Sequence, residues 1–570
     1  MSKYGLKIKN YEAGSLYGKE LGIRDNLDST DAMLTNSLFS DYLISIGLNV
    51  WKEESTRDVI CLDFNYGTRS YEEEIKTLTK RIKDTETDCL KGKISEEEKN
   101  QKIERLHMLL TVADENKEKF VKVSKDQIRT EYYVNGVSIC YQTHNKKGEV
   151  IREETIHYKM LYRTPGKAKK GSCMFINEAL YEQARDFLRM GIELPDENSP
   201  IVEIGAYSSL VTSTIVGKVQ IKPEEILIIP DVDSFFETNV ISVETDENKH
   251  CKAVPIEGYR LKNTLFDGQA LIDSSIFPEW GDGYVLLRHH MFKAAAFHSN
   301  IQLFMKDYFG DDYETATVTD MFGNEVRVKD IRMITTENAL KWSKFGVSFE
   351  YWSNKVREND CQFGIVKTAH KSKLGDVQRM SYQMINALEM DIMPEVTKCS
   401  LDYIDQLKTD DEVFLDYLEK NKNFSNDYEV LVALVKHNPE FVRSEYFRER
   451  KWNIIQNYVL NFKTGKIIQE ADNLVIVGSP YAMLLHAVGD DYRKDNTFVR
   501  EEGTIQCYTE RFGFGEYLAE FRNPFNSKNN LGYMHNVYDE RLERYFNFGE
   551  LIIAVNMIET PFQDRNNGLT

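Results

Sequence analysis

From residue 130 to residue 335 the chain reads mainly as short strand-forming runs, and this patterning restricts its fold more than any other feature. "EEILIIPDV", "NVISVETD", "GYVLLRHHM" and "TATVTDMFGNEVRVKDIRMIT" place β-branched and aromatic residues between turn formers, as strands do. Asn135-Gly136 stands between two such runs, which predicts a hairpin. Short helices are expected at "NEALYEQARDFLRMGI" and around "AAAFHSNIQLFMKDYF". Residues 336–450 then change period. "TENALKWSKF", "RMSYQMINALEM", "DDEVFLDYLEKN" and "DYEVLVALVKH" read as helices, and Asn438-Pro439 marks another helix start. Residues 451–570 return to mixed character, with "NLVIVGSP", "YAMLLHAVG" and "ELIIAVNMI".

The segment 70–126 differs from all of these. It is charged and helical in period, with Gly92 at a turn and a Ser95/Glu98 capping box opening its second half. An antiparallel helical hairpin is expected, most simply a solvated arm. "DYLISIGLNVW" and "RDVICLDFNYG", upstream of it, read as strand-like or buried pieces. The expected fold class is therefore mixed α+β in four regions. Residues 1–130 carry the hairpin, 131–335 form a first β-rich barrel domain, 336–450 a helical connector, and 451–570 an incomplete second barrel.

At 570 residues the chain is long enough for about four average domains. Its formal net charge of −19 argues against indiscriminate coating of nucleic acid, while leaving room for a local basic channel. The eight cysteines show no C-x-x-C spacing, so no zinc site is expected. No apolar leader and no run of about 18 apolar residues appears, so a cytoplasmic chain without a membrane span is expected.

Several segments are candidates for chemistry. "RTPGKAKKGSCMF" places Arg163, Lys167, Lys169 and Lys170 in a glycine-containing turn. It lacks the lysine that a phosphate-binding loop carries between its second glycine and the following Ser172. It is either a solvated basic loop or a contact for nucleic-acid backbone. "RFGFGEY" has one G-x-G among aromatics and suits a packed turn better than a phosphate cradle. In "LLRHHMFKAAAFHSN" the adjacent His289 and His290 cannot share a face, so they make a poor metal pair. Lys293, between Phe292 and three alanines, is either a snorkelling lysine or a cation aimed at a phosphate. "EYLAEFRNPFNSKNNLGYMHN" holds Arg522 and Asn523 beside Pro524 in a polar loop between apolar segments.

Taken together, "LFDGQALIDSSIF", "LLRHHMFKAAAF" and "FRNPFNSKNNLGYMHNVYDERLERYFNFGELIIAVNMIETPFQDRNNG" resemble the two-barrel RNA polymerases. That family includes silencing-type RNA-dependent RNA polymerases and the single-chain RNA polymerases of bacteriophages and gut bacterial genomes. The resemblance covers roughly residues 160–570. It implies two double-psi β-barrels, with Asp267-Gly268 in a structural turn of the first. It implies that Lys293 faces the transferring phosphates, although Phe292 and Ala294 replace the Tyr and Gly that flank the family's lysine. Arg522, with Asn523 and Pro524, would read the sugar hydroxyls of the incoming nucleotide.

The family's D-x-D-x-D cluster, which holds Mg2+, is not present. Asp564 is the one carboxylate in the final turn, and Asp231 and Asp233 are not expected to substitute. The implied function is the N-terminal portion of a template-dependent RNA polymerase. Nucleoside triphosphates and a nucleic-acid template would be its partners, and a missing C-terminal half would supply the Mg2+ ligands. The alternative is a non-catalytic nucleic-acid-binding or virion-associated phage protein that keeps the scaffold.

Overall fold

The computed structural model describes residues 5–24, 27–51, 54–145, 150–163, 171–193, 201–375, 377–379, 389–423, 426–498, 505–521 and 531–559. They form two compact units. The first is Met1–Val216 with His289–Met291 and Lys344–Val347; the second is Gly217–Arg288, Phe292–Ser343 and Ser348–Thr570.

The first unit is built on β1 (Gly5–Glu12), β2 (Ser29–Thr35), β3 (Ser55–Asp63), β4 (Val137–His144), β5 (Val150–Tyr162) and β6 (Ser172–Asn177). They lie in the order β2-β1-β3-β6-β5-β4, so one sheet takes strands from both sides of the division expected at residue 130. β3 is buried along most of its length and pairs parallel with β1 and antiparallel with β6. Helices α1 (Ala13–Glu20), α2 (Leu38–Ser45), α3 (Tyr71–Leu90), α4 (Glu96–Glu115) and α5 (Lys125–Asn135) accompany it.

The expected hairpin is α3 and α4, and capping boxes at Ser70/Glu73 and Ser95/Glu98 start both helices. Two expectations fail in this unit. "DYLISIGLNVW" contributes to helix α2, which a Ser37/Ser40 capping box opens. Asn135-Gly136 is not a hairpin turn: it ends α5, which starts at a Ser124/Gln127 capping box. Gly136, at φ 72°, closes the helix and lies against Tyr158, where a Cβ would sit 2.4 Å from the carbonyl oxygen.

The second unit opens with β7 (Gly217–Gln220), β8 (Ile226–Ile229), β9 (Val232–Thr245), β10 (Cys251–Leu265), β11 (Gln269–Asp273), β12 (Tyr284–His289) and β13 (Phe292–Ser299). It continues with β14 (Thr317–Thr319), β15 (Glu325–Arg327), β16 (Met333–Thr336), β17 (Gln362–Thr368), β18 (Gln378–Arg379) and β19 (Ile468–Gln469). β20 (Val475–Gly478), β21 (Ile505–Tyr508), β22 (Tyr517–Phe521), β23 (Leu531–Asn536) and β24 (Ile552–Val555) complete it. β9 and β10 form a long two-stranded ribbon apart from the main sheets. Lys293-Ala-Ala-Ala lies on strand β13, and the helix expected there begins only at Ile301. Similarly, "TENALKWSKF" forms short 3-10 turns, and β17 interrupts the stretch expected to be helical. Four longer helices, Met393–Thr409, Asp411–Asn421, Tyr428–His437 and Glu445–Lys463, pack around Phe414, Leu418, Phe447 and Ile455.

Five adjacent strands of a seven-stranded sheet, which β17 and β7 extend beyond β12, have the same order as the five strands of a second sheet. In the first, β8 pairs parallel with β16, β16 antiparallel with β11, and β11 parallel with β13, whose hairpin partner is β12. In the second, β20 pairs parallel with β24, β24 antiparallel with β21, β21 parallel with β23, and β23 antiparallel with β22. Taken in chain order, the five strands of each set occupy equivalent places. β8 and β24 are buried on both faces, which explains the unbroken apolar runs "ILII" and "IIAV".

At both strand ends a side chain just past the first strand accepts the N–H two residues past the second. Ile229 lies level with Thr336, and Asp231 Oδ1 accepts the N–H of Asn338 at 3.3 Å. Gly478 lies level with Val555, and Ser479 Oγ accepts the N–H of Met557 at 2.9 Å. Residues of both sheets, among them Leu227, Phe297, Ile334, Val477, Cys507 and Ile552, share one hydrophobic core. The architecture is mixed α+β.

Candidate functional site

The hairpin of β12 and β13 carries Arg288 and Lys293 on its two arms. Phe292, fully buried against Phe363 at 5.3 Å and Trp352 at 5.8 Å, fixes where β13 begins. An isolated antiparallel bridge from Phe292 to Leu340 brings the following Lys341 alongside. Across from these cations the chain turns from β10 into β11 through Phe266, Asp267 and Gly268. Phe266 and Gly268 are both left-handed, at φ 59° and 64°, and Gln269 N–H closes the turn on the Phe266 carbonyl at 2.9 Å. A left-handed phenylalanine is strained, and burial of its ring holds it there.

The charges at this end of the sheet are unbalanced. Lys293 is half-buried and makes no hydrogen bond or ion pair among the described residues. Burial, with the charges of Arg288 and Lys341, holds its ammonium below the usual lysine range, and Asp267 offsets this in part. Arg288 is 9 % exposed, and its described hydrogen bond goes to the neighbouring Leu287 carbonyl at 2.8 Å. Burial brings its pKa down to about 10. Lys341 donates to Asn338 Oδ1 at 3.4 Å. Asp231 is pushed up by burial and by the carboxylates of Glu337 and Asp267, while bonds from Thr336 and Asn338 work the other way. Cations that burial and mutual repulsion make uncomfortable are suited to receive an anion, because an arriving negative charge relieves both.

Of the residues singled out in the sequence, Lys293 and Asp267 come together here. Arg163 is exposed just after β5, in the other unit. Lys167, Lys169, Lys170, Arg522, Asn523 and Asp564 lie outside the described residues. Ser172 is not part of a phosphate cradle: it begins β6, and its hydroxyl donates to Asp63. The "RFGFG" turn is clamped, since Asn536 Nδ2 donates to the carbonyls of Thr509 and Phe512, each at 3.0 Å, and of Gly513 at 3.2 Å, but it is not the packed turn expected, because Phe514 is exposed. His289 is buried, and burial holds its pKa well below the imidazole range.

Sequence reading missed Arg288 and Lys341 as partners of Lys293. Arg288 stood in the same quoted stretch; Lys341 is brought in by the bridge at Leu340 and had no local signal. Among the described residues no three His, Cys, Asp or Glu side chains form a group that would hold a metal ion. Asp233 pairs with Lys262 at 2.7 Å and Asp231 with the Asn338 N–H. The described residues therefore do not offer a site for Mg2+. No helix among the described residues is long and apolar enough to cross a membrane. No protein-family model matches the chain, and no match is found among curated proteins.

Proposed function

We propose that this chain is the N-terminal portion of a template-dependent RNA polymerase of the two-barrel class. The observation that carries the reading is the repeated strand order of the β8–β16 and β20–β24 sets around one core. A two-barrel enzyme needs two such units. Lys293 and Arg288 are then the groups that meet phosphate. In a half-buried setting a cation attracts a phosphate more strongly than it would in open water. Lys293 balances charge on the transferring phosphates, and Arg288 and Lys341 support it. The carboxylates and Mg2+ of such a reaction belong, on this reading, to a further polypeptide segment. Arg522 and Asn523 keep their proposed role at the nucleotide sugar.

The test is fluorescence anisotropy of a labelled RNA primer annealed to a template strand. The chain should bind it saturably, and Lys293→Met and Arg288→Met should each weaken binding. A charge-assisted hydrogen bond is worth roughly 1.5–3 kcal/mol, which corresponds to about ten- to a hundredfold in affinity. Equal binding by all three proteins would remove the phosphate role and the reading with it.

A further inference from the structure

Where the β9–β10 ribbon leaves the sheets, a cleft of about 710 Å³ opens, lined by Asp233, Phe235, Glu237, Arg260, Arg493 and Glu559. Its two arginines are held in the same way. The Arg260 guanidinium lies 4.2 Å over the Phe235 ring, and that of Arg493 lies 4.7 Å over Tyr492. Arg260 has no hydrogen-bond partner among the described residues. Arg493 forms ion pairs with Glu559 at 3.6 Å and Asp491 at 3.8 Å, both longer than a hydrogen bond, so a more strongly charged phosphate can displace them. A guanidinium resting on a ring has one face already desolvated while its in-plane N–H donors stay turned to the cleft, the arrangement in which arginine takes phosphate.

The other half of the cleft is different. Glu237 lies opposite Arg260 in the ribbon register. The backbone of Glu559 is fixed by its N–H donating to Ser234 Oγ at 2.8 Å. Asp233 is neutralised by Lys262 at 2.7 Å. Carboxylates accept hydrogen bonds from hydroxyl groups, and Phe235 offers a partly exposed ring. A bare polyanion would use the arginines and be repelled by Glu237 and Glu559. A ligand with an anionic end, hydroxyl donors and a planar apolar part uses every group. The volume suits a molecule of nucleotide size.

We propose that this cleft binds a ribonucleoside phosphate. The base lies against Phe235, the phosphate on Arg260 and Arg493, and the ribose hydroxyls on Glu237 and Glu559. No lining residue belongs to the Lys293 cluster, and the assignment does not depend on the polymerase reading.

The experiment is calorimetric titration of the full chain with ATP, dATP and tripolyphosphate, with no divalent metal present, so that a metal-dependent site stays silent. ATP should bind at one site. Arg260→Ala and Arg493→Ala should each weaken it by roughly tenfold or more, the weight of a charge-assisted hydrogen bond. Phe235→Ala should weaken ATP more than tripolyphosphate, because it removes the base contact as well as the ring beneath Arg260. Glu237→Gln should narrow the preference of ATP over dATP. Both arginines are exposed, so folding of those variants is not at risk. Unchanged ATP affinity in the Arg260→Ala/Arg493→Ala double variant would overturn the site. Equal binding of ATP and tripolyphosphate, indifferent to Phe235→Ala, would overturn the nucleotide assignment in favour of a simple phosphate site. Loss of ATP binding in Lys293→Met alone would place the nucleotide at the other cluster and overturn the cleft.

Discussion

The side-chain amide of Gln269 exchanges two hydrogen bonds with the backbone of Gly478: its Nε2 donates to the Gly478 carbonyl, and its Oε1 accepts the Gly478 N–H, both at 3.1 Å. Gln269 opens β11 of the first repeated set and Gly478 closes β20 of the second. The pair is buried, so it joins the two sheets through the one kind of contact that the surrounding apolar core does not supply.

Gln269→Leu keeps the volume and orphans both Gly478 groups. Each unsatisfied buried group costs about 1–3 kcal/mol. The midpoint of urea unfolding should fall accordingly, with an unchanged slope if the sheets unfold together. A midpoint that does not move would show that water or a shifted backbone replaces the amide.

Gly478→Ala tests the same junction from the other side. A Cβ there would lie 2.4 Å from Met557 Cγ, close to the base of that side chain. Met557 also donates its N–H to Ser479 Oγ, so its backbone cannot retreat freely. Destabilisation is expected, and Gly478→Ala combined with Met557→Ala should recover part of it. Absence of any recovery would locate the cost in the backbone instead.

Much of the fold was legible where the deciding forces are local. Ser95 and Glu98 announced α4 because a capping box satisfies its own helix end. The run "ILII" announced a buried strand. The failures came where one residue type serves two purposes. Asn-Gly suits a hairpin turn, yet glycine also ends helices, and Gln127 three residues after Ser124 was the overlooked sign that a helix had begun. The pairing of Gln269 with Gly478 spans 209 residues and leaves no local mark. The site was half legible for the same reason: Lys293 drew notice by its apolar neighbours, whereas its electrostatic setting depends on Asp267 and Lys341, which only the folded chain brings near.

Gly136→Ala should be among the more damaging single changes in the first unit. The backbone is left-handed there, and the new methyl would meet the Tyr158 carbonyl oxygen at 2.4 Å. Strain of this kind costs of order 1–3 kcal/mol, and a clash with backbone adds to it. Thermal unfolding followed by circular dichroism measures the loss. A variant as stable as the parent would mean that the α5–β4 junction relaxes without penalty.

Lys293 should carry a stability cost. Its folded pKa lies below the ordinary value of 10.5, so the unfolded chain holds the proton to higher pH than the folded one. Between the two values the unfolded state binds more protons, and stability rises with pH. Below the folded value the penalty is present in full. Lys293→Met should therefore stabilise the chain at neutral pH and flatten the rise of stability towards pH 10.5. Arg288, brought down to about 10, acts in the same direction at higher pH. Urea midpoints at neutral and alkaline pH give the comparison, and a neutral-pH loss of stability in Lys293→Met would contradict the charge account.

Salt dependence separates phosphate contact from other binding. If Lys293, Arg288 and Lys341 neutralise phosphates, binding of the primer–template should weaken steeply with added salt, because each contact releases condensed counterions. The slope of log affinity against log salt should become shallower by roughly one when a phosphate-contacting cation is removed. Lys293→Met is the informative variant, since it also removes a like charge that burdens Arg288. If Lys293 merely snorkels towards solvent, its loss leaves the slope unchanged. If it meets a phosphate, affinity falls most at low salt and the two proteins converge as salt rises. Parallel lines displaced by a constant factor would point instead to a lost packing contact, and would return Lys293 to a structural role.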